Sequence, residues 1–375
     1  MPELLYKINP DRTKPWNDLP ELPIRSELVE SIEVLKKLGD AKAALARLQG
    51  RSAIIPNQGL LINSISLQEA KSSSAIENIF TTDDELYKAL SDQDSHIGSA
   101  SKEVLRYREA LWSGYHLLTA NPVFSQDYFI RIFQEIKQTQ DKIRPPFLDT
   151  TIKKGRTGPN AGQVIYTPPR GKGIIEKKLI NLVEFVNDDE QFQMDHLLKM
   201  AIAHFQFEAI HPFRDGNGRA GRVFNIHYLT SKGLLDYPIL FLSRYILDYK
   251  TDYYSGLEGV SQRGNWQDWV LFMLRAVEYT STITYNKINE IISVKDSILS
   301  HVKAEGKFQQ PTELVEFIFT QPYTKVNHLT DAGLFAEKTA RKYLNLLCEM
   351  QVLEKKTIEG KHYYLNLELY RILSE

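Results

Sequence analysis

Between Asp195 and Gly233 two helical patterns meet across twelve residues, His211-Pro212-Phe213-Arg214-Asp215-Gly216-Asn217-Gly218-Arg219-Ala220-Gly221-Arg222. Before the junction, Leu197, Leu198, Ala201, Ile202, Phe205 and Ala209 mark a buried helix face. After it, a helix starting near Gly218 stops at Gly233, with Lys232 favourably placed in its last turn. The junction holds a base, a carboxylate, three glycines, an amide and three guanidiniums, which no core element contains. Gly216 and Gly218 lift the steric bar to unusual backbone angles, so N–H groups opening the second helix can converge on one anion, and a phosphate suits that place. Arg219 and Arg222 are neighbours on the first turn, with planar forks that match phosphate oxygens. Asp215 is a candidate magnesium ligand. His211, ending the first helix, is a candidate base for a hydroxyl near neutral pH.

The rest of the chain predicts a mainly α protein. A Pro-rich arm over 1–25 precedes a helix from Ser26 to Leu48, with Leu28, Ile32, Leu35, Leu45 and Leu48 near one face and Gly50 as a stop. Further helices are expected at Ser64–Ile79, 81–91, 98–118, 125–138, 174–187, 248–262 and 266–300. The helical period fails between Lys153 and Pro169, where Gly155, Gly158, Pro159, Asn160 and Gly162 accompany the extended run Gln163-Val164-Ile165-Tyr166, and a hairpin is expected. Beyond 305, helices at 311–320, 324–332 and Ala336–Met350 lead to two strands flanking Glu359-Gly360, a winged-helix arrangement. The expected division is 1–100 for the arm and first helices, 101–300 for a core, and 305–375 for the tail.

Several function classes recede. With 46 basic and 47 acidic residues, net charge −1, nothing at whole-chain level draws the protein to nucleic acid or anionic membrane. The single cysteine, Cys348, excludes an intrachain disulfide and a cysteine-built zinc site, and points to a reducing cytoplasm. No apolar run approaches membrane-spanning length, and Met1–Pro20 lacks a signal-peptide pattern. His196, His204 and His211 lack zinc-protease spacing, and Gly155–Gly162 lacks the Gly-Lys-Ser/Thr ending of a P-loop.

His211–Arg222 matches the Fic-family signature His-Pro-Phe-x-Asp/Glu-Gly-Asn-Gly-Arg-x-x-Arg at every fixed position, and the chain resembles that family over nearly its whole length. The resemblance implies a helical Fic-type core with a short hairpin flap, and transfer of AMP from ATP, with magnesium, to Ser, Thr or Tyr of a target protein. It makes His211 the base and Asp215 the magnesium ligand. Gly216, Gly218 and the Asn217 side chain become the anion hole, and Arg219 and Arg222 the phosphate grip, so that 216–222, including Ala220 and Gly221, form the ATP site. Gly218 stands where kinase members carry Lys, which favours AMP transfer over phosphoryl transfer.

Upstream, Ser73-Ser74-Ala75-Ile76-Glu77-Asn78 resembles the family's inhibitory motif, with Ser73, Glu77 and Asn78 at its fixed positions. Glu77 is then expected to pair with Arg222 and compete with the γ-phosphate. The run Gln163, Val164, Ile165 and Tyr166 occupies the place of the flap that docks a target segment as an added strand. Tyr253 and Tyr254 fall where relatives place a tyrosine on adenine, with the choice between them open. A homodimer is implied by relatives. De-AMPylation or phosphocholine transfer by the same site are alternatives. So is a DNA-binding regulator reading through Lys338, Arg341 and Lys342, a thin basic footprint beside Glu337 and Glu349.

Overall fold

The computed structural model describes residues 6–53, 58–91, 98–154, 161–358 and 360–374. Helices α1 (Ile32–Ser52), α2 (Gln58–Ile76), α3 (Asp83–Ser91), α4 (Ser99–Ala120) and α5 (Gln126–Lys137) come first. A hairpin, β1 (Ile152–Lys153) and β2 (Val164–Tyr166), interrupts them. Then follow α6 (Ile174–Asn187), α7 (His196–Ile210), α8 (Asn217–Ser231), α9 (Leu242–Asp248), α10 (Lys250–Arg263) and α11 (Trp266–Glu305). The tail is α12 (Pro311–Ile318), β3 (Tyr323–Thr324), α13 (Val326–Asp331), α14 (Glu337–Glu349), β4 (Leu353–Ile358), β5 (Lys361–Asn366) and α15 (Leu367–Ser374).

Helices α7 and α8 form the centre. Nearly every residue of both is buried, because α4, α5 and α11 cover the faces an ordinary amphipathic helix would leave to water. Long α11 also lies along α1. There the expected face is corrected: Ile32 is 76% and Leu35 49% exposed, whereas Val34, Leu38, Ala41, Leu45 and Leu48 are buried. Those five follow alternating steps of four and three, the spacing that stays on one side of a helix. The stop is corrected too. Gly50 lies within α1, which continues to Ser52 because Ser52 is buried and Arg51 bonds Asn289 of α11 at 2.7 Å, outweighing about 1 kcal/mol of glycine propensity.

Helix α2 ends earlier than its pattern suggests. Asn78 turns left-handed with φ 62°, and the Ile79 N–H returns to the Ser74 carbonyl at 3.0 Å, so Glu77 projects from the helix end. Helix α9 was not expected, since seven residues are too few to display a period. In the hairpin, Ile152 pairs with Tyr166 and Lys153 with Val164, whereas Gly155, Gly158, Pro159 and Asn160 of the expected turn lie outside the described residues. The arm lies over this region: the Trp16 N–H bonds the Thr167 carbonyl at 3.1 Å, and the Trp16 ring sits edge-on to Tyr166.

The tail adds a strand to the expected ribbon, giving the order β3-β5-β4. Two-residue β3 is too short for alternation to reveal. It fastens the tail to α3, where the Tyr323 hydroxyl donates to Asp84 and the Ser91 hydroxyl donates to the Tyr323 carbonyl at 3.2 Å. On α14, Lys338, Arg341 and Lys342 are exposed, and Arg341 is paired with Glu337 at 2.6 Å. Among the described residues no helix is long and apolar enough to cross a membrane.

Candidate active site

The loop between α7 and α8 is built by backbone strain held from a distance. His211 caps α7 in the left-handed region, φ 50° and ψ 59°, which costs a non-glycine residue about 1–3 kcal/mol. Arg144 offsets this: its Nε donates to the His211 carbonyl at 2.8 Å and its backbone N–H to the Pro212 carbonyl at 2.9 Å. The same guanidinium reaches the carbonyls of Pro169 and Ile210, and the residue is 2% exposed. Phe213 is buried in a parallel stack on Phe133 of α5, centroids 4.3 Å apart. Gly216, φ 78°, then opens α8 in a conformation that glycine adopts without penalty.

Asn217 closes the loop: its Oδ1 accepts from the Phe213 N–H and its Nδ2 donates one hydrogen to the Phe213 carbonyl, both at 2.9 Å. The loop's backbone faces a cavity of about 290 Å3 that brings together His211, Asp215, Gly216, Asn217, Gly218, Arg222, Glu77, Tyr253, Tyr254, Ile165 and Tyr166.

Other expected site residues lie away from that cavity's walls. Arg219 is 2% exposed, and its Nη1 donates to Glu103 of α4 at 2.8 Å, so it ties two helices together and does not reach into the cavity. Ala220 is buried on the same helix, and Gly221 is a contact point where an added Cβ would come 2.6 Å from Glu208 Oε1. Ser73 lies behind Arg222, Asn78 accepts from Lys250 at 3.3 Å, and Gln163 and Val164 precede the part of β2 that lines the cavity. Both tyrosines line it. Tyr253 is buried and bonded through its hydroxyl to His204 Nε2 at 2.9 Å, whereas Tyr254 is 37% exposed.

Charge in the site is arranged around Arg222, which is 1% exposed. Its Nε donates to Ser73 Oγ at 2.8 Å, and its Nη2 to the Ser73 carbonyl at 3.0 Å and to Glu77 Oε1 at 2.8 Å. Burial works against the charged guanidinium, but Glu77, with smaller help from Tyr253 and Tyr107, holds Arg222 above its ordinary value. Gly218 makes room for the pair, since a Cβ there would come 2.5 Å from Glu77 Oε1 and 2.9 Å from Arg222 Nη1. His211 opens onto the cavity but is crowded on its other sides; this burial, then the charge of Arg144, bring it down to about 4, so its imidazole is neutral at pH 7.

Burial favours protonation of Asp215, yet Lys137, whose Nζ lies 2.6 Å from Oδ2, and the Gly216 N–H on Oδ1 hold it below the ordinary carboxylate range. Among the described residues no group of three or more His, Cys, Asp or Glu gathers as a metal cage. The donor set therefore fits magnesium in one manner, with Asp215 as a single carboxylate completing a shell of phosphate oxygens and water.

Arg144 and Glu208 are among the residues at the site that escaped the sequence reading. Arg144 precedes two prolines and carries no local signal. Glu208, the only acid between His196 and Ile210, lines the cavity; burial pushes it up to about 8 against the pull of Arg222, and its Oε1 has no hydrogen-bond partner. One acid in a mostly apolar helix was the available clue.

Sequence profiles match in three consecutive stretches: the Fic/DOC family N-terminal region over 35–116, the Fic/DOC family over 124–229, and the C-terminal domain of protein adenylyltransferase SoFic-like over 295–369. The chain belongs to the Fic family. Over 113 residues it is 28% identical to protein adenylyltransferase fic-1 of Caenorhabditis briggsae and 27% to that of Caenorhabditis elegans, in each case 30% of this chain and 21% of the relative. The match thus spans about a fifth of those relatives' length. Among solved structures, a Fic family protein from Desulfovibrio desulfuricans shares the fold with a TM-score of 0.56 at 19% identity, over 92% of this chain and 98% of that one. A C. elegans Fic-1 fragment superposes with 0.52 at 19% identity, over 70% of this chain and 73% of that one.

Proposed function

We propose that this Fic protein transfers AMP from ATP to a hydroxyl side chain of a protein target and is self-restrained by Glu77. The observation carrying the proposal is one cavity that joins a neutral imidazole, the exposed backbone at the start of α8, and a buried guanidinium already holding a carboxylate. The C-terminal profile and the curated relatives, all named protein adenylyltransferases, support the same reaction.

In this reading the nucleotide's phosphates meet the α8 N-terminus at Gly216–Gly218, where N–H groups and helix dipole favour negative charge. Gly218 leaves the space a lysine would fill. The base lies along the tyrosine wall, Tyr253 fixed by His204 and Tyr254 freer to adjust. Asp215 would hold a magnesium ion together with phosphate oxygens, and the ion would supply neutralisation of the phosphate charge. The target hydroxyl gives its proton to His211; its oxygen bonds to the α-phosphorus as the bond to the bridging oxygen breaks and pyrophosphate leaves. Arg222 is the natural partner of the γ-phosphate, so Glu77 must leave before the triphosphate can lie productively. Ile165 and Tyr166 of the flap face the cavity, consistent with a target strand beside β2.

The test is label transfer from α- or γ-labelled ATP by wild type, Glu77→Gly and Glu77→Gly/His211→Ala. The proposal expects protein-bound label from the α position only, raised by the first change and lost with the second. Label from γ means a kinase, and label from neither shifts the reading to phosphocholine transfer, an obligatory foreign target or the DNA-binding regulator.

A further inference from the structure

Lys137 has no place in the reaction just described, yet it is held against the loop with some care. It sits one helical turn after Phe133, whose ring stacks on Phe213 and fixes α5 against the motif. Its methylenes lie over Gly216, where an added Cβ would come 3.2 and 3.3 Å from the lysine Cδ and Cγ. Its ammonium ends 2.6 Å from Asp215 Oδ2, while Oδ1 takes the Gly216 N–H. Both oxygens of the carboxylate assigned to the metal are thus engaged, one by a full positive charge.

We propose that Lys137 is the resting cation of Asp215 and keeps divalent ions off this carboxylate until a nucleotide brings its own negative charge. This deepens the function proposed above and rests on its assignment of Asp215 to a metal accompanying phosphates. The physical reason is direct: a divalent ion at Oδ2 would lie within a few ångströms of the ammonium, and their repulsion weakens binding by a single carboxylate. A triphosphate reverses the balance, because its oxygens can receive the displaced lysine and supply the missing metal ligands.

Mn2+ uptake by the nucleotide-free full chain, followed by the loss of the free-ion electron paramagnetic resonance signal, tests this without any transfer reaction. Lys137→Met, which keeps the stem packed on Gly216, should bind Mn2+ roughly tenfold more tightly than wild type. The gain should vanish in Lys137→Met/Asp215→Asn, and Lys137→Arg should stay at the wild-type level. Lys137→Gln serves as a second neutral variant if thermal melting shows that Lys137→Met is unfolded. Equal affinity in wild type and the neutral variants, a gain that survives loss of the Asp215 carboxylate, or an equal gain in Lys137→Arg would each overturn the proposal. Because Mn2+ uptake and AMP transfer are read separately, absence of transfer with the Mn2+ pattern intact would overturn only the function.

Discussion

Replacing Glu77 by glycine removes the carboxylate that holds Arg222 and leaves that guanidinium its two bonds to Ser73. A charge-assisted hydrogen bond of this kind contributes about 1.5–3 kcal/mol. The Glu77 side chain is 35% exposed, so solvent screening argues for the lower half of that range, about 1.5–2 kcal/mol. A γ-phosphate that must displace Glu77 gives up that amount. Glu77→Gly should therefore raise transfer from α-labelled ATP by about 10- to 30-fold at subsaturating nucleotide. The fold should suffer little, because residue 77 lies just beyond the last helical residue of α2. Initial rates of protein-bound label across an ATP series, with binding of a non-hydrolysable analogue measured in parallel, separate better binding from better chemistry. Unchanged rate and unchanged analogue affinity in a folded Glu77→Gly protein would refute the claim that the observed ion pair restrains the site.

His211→Ala should reduce transfer by at least about 100-fold while analogue binding persists, since it removes the proton acceptor and leaves the anion site; retained transfer would mean another base. Gly218→Ala should lower stability by about 1 kcal/mol through collision with the Glu77–Arg222 pair, and most of this loss should disappear in a Glu77→Gly background; additive losses in chemical denaturation would place the strain elsewhere. Arg144→Met should cost about 2–4 kcal/mol by releasing the carbonyls around His211, and transfer should fall more than nucleotide affinity; a neutral melt would mean the left-handed turn holds itself. Glu69, pushed up by burial to about 7, and Glu208, to about 8, keep protons in the folded chain that the unfolded chain releases near 4.5. Buried His204 is held down at about 3, and His211 and His227 at about 4, against 6.5 unfolded. Stability should then fall above pH 6.5, where only the carboxyls act, and fall again toward pH 4 as the three histidines outweigh them; a Tm flat from pH 6.5 to 8 in wild type, or no flattening in Glu208→Gln, contradicts this.

The loop at 211–222 was legible because its chemistry is contiguous: glycines for backbone freedom, a base and a carboxylate must follow one another there, and they do. Helix positions were legible where a face repeats over several turns, as in α7, and failed where tertiary contacts overrode local preference, as at Gly50. Of the contacts between distant segments, the pairing of Glu77 with Arg222 was legible because both residues stand in motifs, and those made by residues outside a motif left no trace. Nothing near Arg144 announces that it will meet the His211 carbonyl 67 positions away, and nothing near Lys137 announces Asp215, 78 positions away. Residue type suggested an anion donor at Asn217, and only the folded loop shows that the same amide also ties the loop to the backbone of Phe213.

Arg219 and Arg222 make the limit of local reasoning plain. Three residues apart on α8, they point within about 60° of each other, so periodicity treats them as one phosphate grip. What separates them is the acid each meets. Glu103 comes from the second turn of α4, a helix packed along α8, and its bond to Arg219 is a fixed seam between two rods. Glu77 comes from the turn beyond α2, where the chain has already left the helix and the carboxylate is partly in water. An acid on a packed helix cannot withdraw without separating the helices, whereas an acid at a helix end can leave by moving a few residues. On the function proposed above, the same pairing of arginine and glutamate would act as scaffold at one position and as a removable restraint at the other. On this reasoning Glu103→Gln should lower stability without raising transfer, the opposite of Glu77→Gly, and a transfer gain from both would show that the two arginines share one task after all.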